Sequence, residues 1–218
     1  FMTTSPLKMT KKILIIGSGF SSISAATYLA DKGYDVTVFE KNSSFGGRAR
    51  KFEANGFTFD MGPSWYWMPD VFEKYFNDFN KKVSDYYNIK KLDPAYTVYF
   101  GSNDSIEIKG DIDSICKTFD EHEKGASKSL KKFMSQANKN YSIAMDKIVY
   151  KPGISIFELI TFKTITRIRY FLTNIKSEVA KYFKNKKLRQ ILEFPVLFLG
   201  AKPENTPAFY NIMNHADF

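Results

Sequence analysis

KILIIGSGFSSISAATYLADKGYDVTVFEKNSSFGGRAR, residues 12–50, carries the order of elements that decides the fold. After Lys12, Ile13 to Ile16 is an unbroken apolar run, as expected of a strand buried on both faces of a parallel sheet. Gly17-Ser18-Gly19 follows at once. Phe20 to Lys32 then shows helical spacing through Ile23, Ala26, Tyr28 and Leu29, and Gly33 stops it. Asp35 to Glu40 is a second apolar strand that ends in an acid. Lys12 to Glu40 has the ~30-residue length of a dinucleotide-binding βαβ unit.

Each part of the unit has a physical task. Gly17 permits a tight turn out of the strand, and Gly19 lets a pyrophosphate approach the backbone. The helix start at Phe20, Ser21 and Ser22 offers N–H groups and a positive dipole end to that phosphate. Ser22 stands where the G-x-G-x-x-G pattern has its third glycine; it is small enough for the helix to stay close to the strand. Glu40 accepts hydrogen bonds from ribose hydroxyls, with Lys41 beside it. An acid there repels a 2′-phosphate, which favours FAD or NAD over NADP. Gly46 and Gly47 present a second pair of close backbone amides, and Arg48 can pair with an anion bidentately.

GGRAR (46–50), GFTFDMGPS (56–64) and FLGAKPENTPAFY (198–210) then narrow the reading. With the first glycine turn they make the chain resemble the FAD-dependent amine-oxidase-like flavoproteins. Within that superfamily it is most similar to the bacterial phytoene desaturase (carotenoid desaturase) family. The resemblance implies an α/β fold: a Rossmann-like FAD-binding βαβ domain with an interleaved antiparallel-sheet and helical substrate or membrane domain. It implies FAD as cofactor, with Gly62, Pro63 and Ser64 added to the cofactor site. It also implies a polyene substrate such as phytoene, and oxygen or a quinone as electron acceptor. The resembled family is about twice as long, so the sequence reads as an N-terminal fragment whose C-terminal FAD segment is missing and which is inactive alone. Other amine-oxidase-like enzymes (a carotenoid isomerase, a retinoid saturase, an amine oxidase) and a non-catalytic nucleotide-binding membrane module stay as alternatives. No carboxylate or histidine has a motif that marks it as catalytic.

Composition bounds the rest. The single cysteine, Cys116, excludes a disulfide framework and fits a reducing compartment. No signal peptide or ~18-residue apolar run is read. His122 and His215 stand apart, so no metal site is expected. The expected organisation is an FAD-binding portion over 10–90 and a substrate portion over 91–218. Trp65-Tyr66-Trp67 is either a wall beside a flavin or apolar ligand, or core filling. Met68–Phe79 reads as a helix, Leu92–Phe100 and Ser105–Lys109 as a hairpin, and Asp111–Val149 as two helices parted at Gly125.

Residues 151–190 hold ten Lys or Arg against Glu158 and Glu178, nearly all of the chain's formal net charge of +9. Within it Ile168, Phe171, Leu172, Ile175, Val179, Tyr182 and Phe183 share a helical face. One basic amphipathic helix over Ile165–Lys184 is the pattern of a membrane-surface element; the same pattern also suits a helix packed within the domain. No nucleic-acid-binding motif accompanies the charge. The expected location is cytoplasmic, peripheral on the inner face of the membrane.

Overall fold

The computed structural model describes residues 10–62 and 65–218. It divides the chain into two compact units, one ending at Tyr66 and one beginning at Trp67.

In the first unit, β1 (Lys12–Ile16) and β2 (Asp35–Phe39) pair in parallel, with Lys12 opposite Asp35 and Ile16 opposite Phe39. The helix α1 (Phe20–Asp31) joins them, and Gly33 at φ +82 ends it. The sequence anticipates all three elements. It does not anticipate their exposure: Leu14 and Ile16 are 66 % and 90 % exposed. Two strands and one helix leave the second sheet face bare, although the apolar run suits a sheet covered on both sides.

A second pair, β3 (Arg50–Ala54) and β4 (Phe57–Met61), forms an antiparallel hairpin. Only β4 is legible from alternation. Asn55 and Gly56, at φ 52 and 81, make the two-residue turn whose primed geometry matches strand twist.

The second unit opens with α2 (Pro69–Asp78). The expected border after residue 90 lies inside this unit. Tyr141 donates its hydroxyl to Asp70 at 3.0 and 2.9 Å, which fastens α2 to the helix bearing Tyr141. β5 (Tyr96–Gly101) and β6 (Asp104–Ile108) form the expected hairpin. α3 (Ile112–His122) and α4 (Ala126–Lys147) follow, parted by Gly125 at φ +81. Asp111 caps α3 by accepting from the Ser114 amide at 2.9 Å.

The basic stretch differs from the sequence expectation. It is not one helix but three: α5 (Phe162–Ile165), α6 (Ile168–Leu172) and α7 (Ile175–Ala180). Thr173 is extended, and Asn174 caps α7 by accepting from the Ser177 amide at 2.8 Å. That capping pair is the break the helical count passes over. Two backbone bonds hold the break open: Ile175 N–H to Thr206 O at 3.0 Å, and Ala208 N–H to Thr173 O at 2.7 Å. Ile175, Val179 and Phe183 are consequently core residues, packed with Phe119, Leu130, Phe133 and Ile191. Glu178 is buried too, held by a two-point contact from Arg169 at 2.9 and 3.1 Å and by Lys181 at 2.7 Å. The single lipid-facing face over Ile165–Lys184 therefore does not exist.

α8 (Lys186–Glu193) starts at Asn185, whose own amide is held by Glu123 at 2.7 Å. A 3-10 turn over Phe194–Leu199 follows, and α9 (Ile212–Asp217) closes the described chain. Trp67 packs edge-on against Phe198 at 4.8 Å between ring centres, a packing use of the aromatic cluster.

Candidate functional site

β1 hands the chain to Gly17, which sits at φ +94, a backbone that favours glycine. The Gly17 amide donates to Phe39 O at 2.6 Å, so the turn is tied to the end of β2. Ser18 is buried beneath it. Its amide and hydroxyl both donate to Glu40 Oε2, at 2.9 and 2.7 Å. The amide and side-chain nitrogen of Asn42 donate to Glu40 Oε1, at 2.9 and 2.7 Å. Asn42 is a contributor the sequence reading passes over; its signal is a short amide side chain two residues after the acid.

Four donors hold Glu40 as a carboxylate. The Ser18 hydroxyl is the largest influence, followed by the Asn42 and Ser18 amides, and together they lower its pKa to about 2. The sign follows. A carboxyl lowered on folding contributes stability above its ordinary value near 4.5, and loses it as pH falls toward 2. In the full-length protein the melting-temperature loss caused by Glu40→Gln should be constant from about pH 8 to 5 and fade below about pH 4. A loss that fades already near pH 6 would contradict this network; thermal melts across pH measure it.

Gly19 differs from Gly17. Its φ of −74 and ψ of 174 are open to any residue, and a side-chain carbon built on it meets no atom within 4 Å. Neither backbone conformation nor protein packing requires a glycine there. The open space lies where α1 begins, and α1 has no side-chain cap and no acid in its first turn. The first-turn amides and the positive dipole end of α1 lie at that space, an arrangement suited to an anion.

The second glycine pair converges on the same place. The Gly46 amide donates to Ser18 O at 2.9 Å. A side-chain carbon on Gly47 would stand 3.2 Å from Gly19 Cα, so the two glycine turns touch backbone to backbone. Gly62, at φ +133, lies against Arg48; a side-chain carbon there would overlap the Arg48 carbonyl oxygen. Thus Gly17, Ser18, Gly19, Glu40, Gly46, Gly47 and the backbone of Arg48 are gathered, with Gly62 as their prop. Phe20, Ser21, Lys41 and the Arg48 side chain are exposed, and Ser22 is half-buried in α1. Pro63 and Ser64 lie outside the described residues.

Comparisons with known proteins bear on the fold and the relatives of the chain. Residues 15–82 match the model of the NAD(P)-binding Rossmann-like domain. Carotenoid 3,4-desaturase of Haloarcula japonica is 42 % identical over 209 residues, covering 94 % of this chain and 42 % of that protein. The chain is a homologue of the carotenoid desaturases. A second carotenoid desaturase relative, the 4,4'-diapophytoene desaturase (4,4'-diaponeurosporene-forming) of Staphylococcus haemolyticus, is 31 % identical over 205 residues, covering 92 % of this chain and 40 % of that protein. The chain thus spans about two fifths of the length of the carotenoid desaturases it matches. A solved structure of wild-type putrescine oxidase bound to putrescine superposes with a TM-score of 0.62 at 15 % identity, covering 96 % of this chain and 44 % of that one. At that identity the likeness concerns the fold alone. Among the described residues no helix is long and apolar enough to cross a membrane.

Proposed function

We propose that the complete protein is an FAD-dependent oxidoreductase that desaturates a carotenoid precursor such as phytoene. The observation that carries this reading is the 42 % identity to a carotenoid 3,4-desaturase along nearly the whole chain. The geometry supports it independently, because Gly19 leaves an unfilled space at a helix start, where a pyrophosphate fits.

Within this reading the amides of Gly19, Phe20, Ser21 and Ser22, with those of Gly46 and Gly47, hold the pyrophosphate. Arg48 adds the counter-charge, and Gly62 props the turn that carries it. Glu40 takes the adenosine ribose. All four acceptor positions of its carboxylate are occupied by Ser18 and Asn42, so a ribose hydroxyl replaces one of these donors. Glu40 stays anionic throughout the physiological range, which disfavours a 2′-phosphate. The bound flavin supplies the two-electron oxidation of a carbon–carbon single bond. This chain's share is to bind, orient and keep water from the cofactor. Oxygen or a quinone is the terminal acceptor in this reading, and the polyene, insoluble in water, is taken up at the cytoplasmic face of the membrane. Residues 10–90 then serve mainly the cofactor and residues 91–218 the substrate.

The full-length gene, expressed in cells that accumulate phytoene or 4,4'-diapophytoene, should turn them coloured. Colourless cells that contain soluble, flavin-loaded protein would overturn desaturation of these precursors.

A further inference from the structure

The four donors on Glu40 are not equally replaceable. The Ser18 amide belongs to a turn fixed from two sides: the Gly17 amide donates to Phe39 O at 2.6 Å, and the Gly46 amide donates to Ser18 O at 2.9 Å. The Ser18 hydroxyl is buried beneath that turn, 2.7 Å from Glu40 Oε2. A ligand atom that took the place of either would have to enter the interior of the turn. The Asn42 amide, 2.9 Å from Oε1, is backbone and cannot leave without the chain that carries it.

The fourth donor differs in kind. Asn42 is exposed, and its side-chain nitrogen reaches Glu40 Oε1 at 2.7 Å. That nitrogen stands at the end of a short rotatable side chain, so it can swing into water while the backbone stays. The influences on the carboxylate keep the same order: the Ser18 hydroxyl is the largest and the Asn42 side chain the smallest of the four donors. Water compensates an exposed amide that has lost its acceptor, whereas a buried hydroxyl left without one is uncompensated. The position held by Asn42 Nδ2 is therefore the one open to simple exchange with a ligand hydroxyl.

We propose that the Asn42 side chain is a displaceable latch on Glu40: it holds the carboxylate in place and is the donor that an adenosine ribose hydroxyl pushes aside on binding. Asn42 is thereby a positioning residue that lowers flavin affinity by competing for the same oxygen. This rests on the reading of FAD at this site, and it names the exchange through which the ribose gains its acceptor.

The full-length protein, stripped of flavin, should bind FAD about fivefold more tightly as Asn42→Ala than as wild type, because one exposed hydrogen bond no longer has to be broken. Both proteins are also titrated with an FAD analogue that lacks the two adenosine ribose hydroxyls. That analogue has no donor to place on Oε1, so the latch stays closed and Asn42→Ala should leave its affinity unchanged. A merely structural role for Asn42 would move both flavins alike. Asn42→Ala that binds FAD no more tightly than wild type overturns the proposal, and so does an equal change for the two flavins. If the variant does not fold, isotope-labelled asparagine in wild type gives a second reading by nuclear magnetic resonance. The Asn42 side-chain amide should exchange with water faster once FAD is bound, and not when the analogue is bound; exchange that FAD leaves unchanged overturns the latch. Wild type that binds no FAD overturns the cofactor reading, and the latch falls with it. Wild type that binds FAD while Asn42→Ala gains nothing overturns the latch alone.

Discussion

Gly19→Val should give a full-length protein that folds, stays soluble and is colourless. The expectation follows from what surrounds Gly19. Its backbone lies in the extended region that valine prefers, and a side-chain carbon there meets no protein atom within 4 Å. The protein therefore has room for valine, and the ligand loses it. Filling the space above the first amides of α1 with an isopropyl group should weaken flavin retention about a hundredfold or more, a loss of roughly 3 kcal/mol. The far-ultraviolet circular dichroism should match that of flavin-stripped wild type. A purified Gly19→Val protein that keeps wild-type yellow absorbance at full stoichiometry would show that the pyrophosphate lies elsewhere.

Gly62→Ala should do the opposite, striking the fold before the cofactor. Gly62 sits at φ +133, where a side-chain carbon is strained whatever the space, and that carbon would overlap the Arg48 carbonyl oxygen. The obstacle is backbone, so nothing flexible can move aside. The turn must shift, and with it the Gly46-Gly47 pair that leans on Ser18 and Gly19. A cost of about 3 kcal/mol or more is expected, which for a protein of this size lowers Tm by ~10 °C. Gly101→Ala is the control: its side-chain carbon meets nothing within 4 Å, and Tm should move by less than about 2 °C. Equal melting of the two variants would remove Gly62 from its propping role.

The two experiments also separate what the sequence could tell from what it could not. The βαβ unit was legible because its signals are local: an apolar run, a glycine turn, a helical period, an acid at a strand end. The sequence offers Gly46 and Gly47 as a second pair of amides for an anion, but not their place beside the first turn. Their contact with Gly19 depends on a fold-back that no spacing encodes. β3 was hidden because Arg50-Lys51-Phe52-Glu53 carries charges on an exposed strand, although Asn55-Gly56 announces the turn that ends it. The basic helix misled for a physical reason. Its apolar positions keep helical spacing across Thr173 and Asn174, but the partner strand of backbone at Thr206 to Ala208 outbids the local preference. Periodicity counts side chains and is blind to a distant amide.

That clamp sets an order of events during synthesis. Thr173 waits for the amide of Ala208, thirty-five residues further along (208 − 173), and Ile175 waits for the carbonyl of Thr206. At roughly 5–20 residues per second, the ribosome adds that stretch in a few seconds. Until then only the Asn174 cap marks the break between α6 and α7. The finished boundary between α6 and α7 thus needs the P-E-N-T-P-A segment, residues 203–208, to have been made.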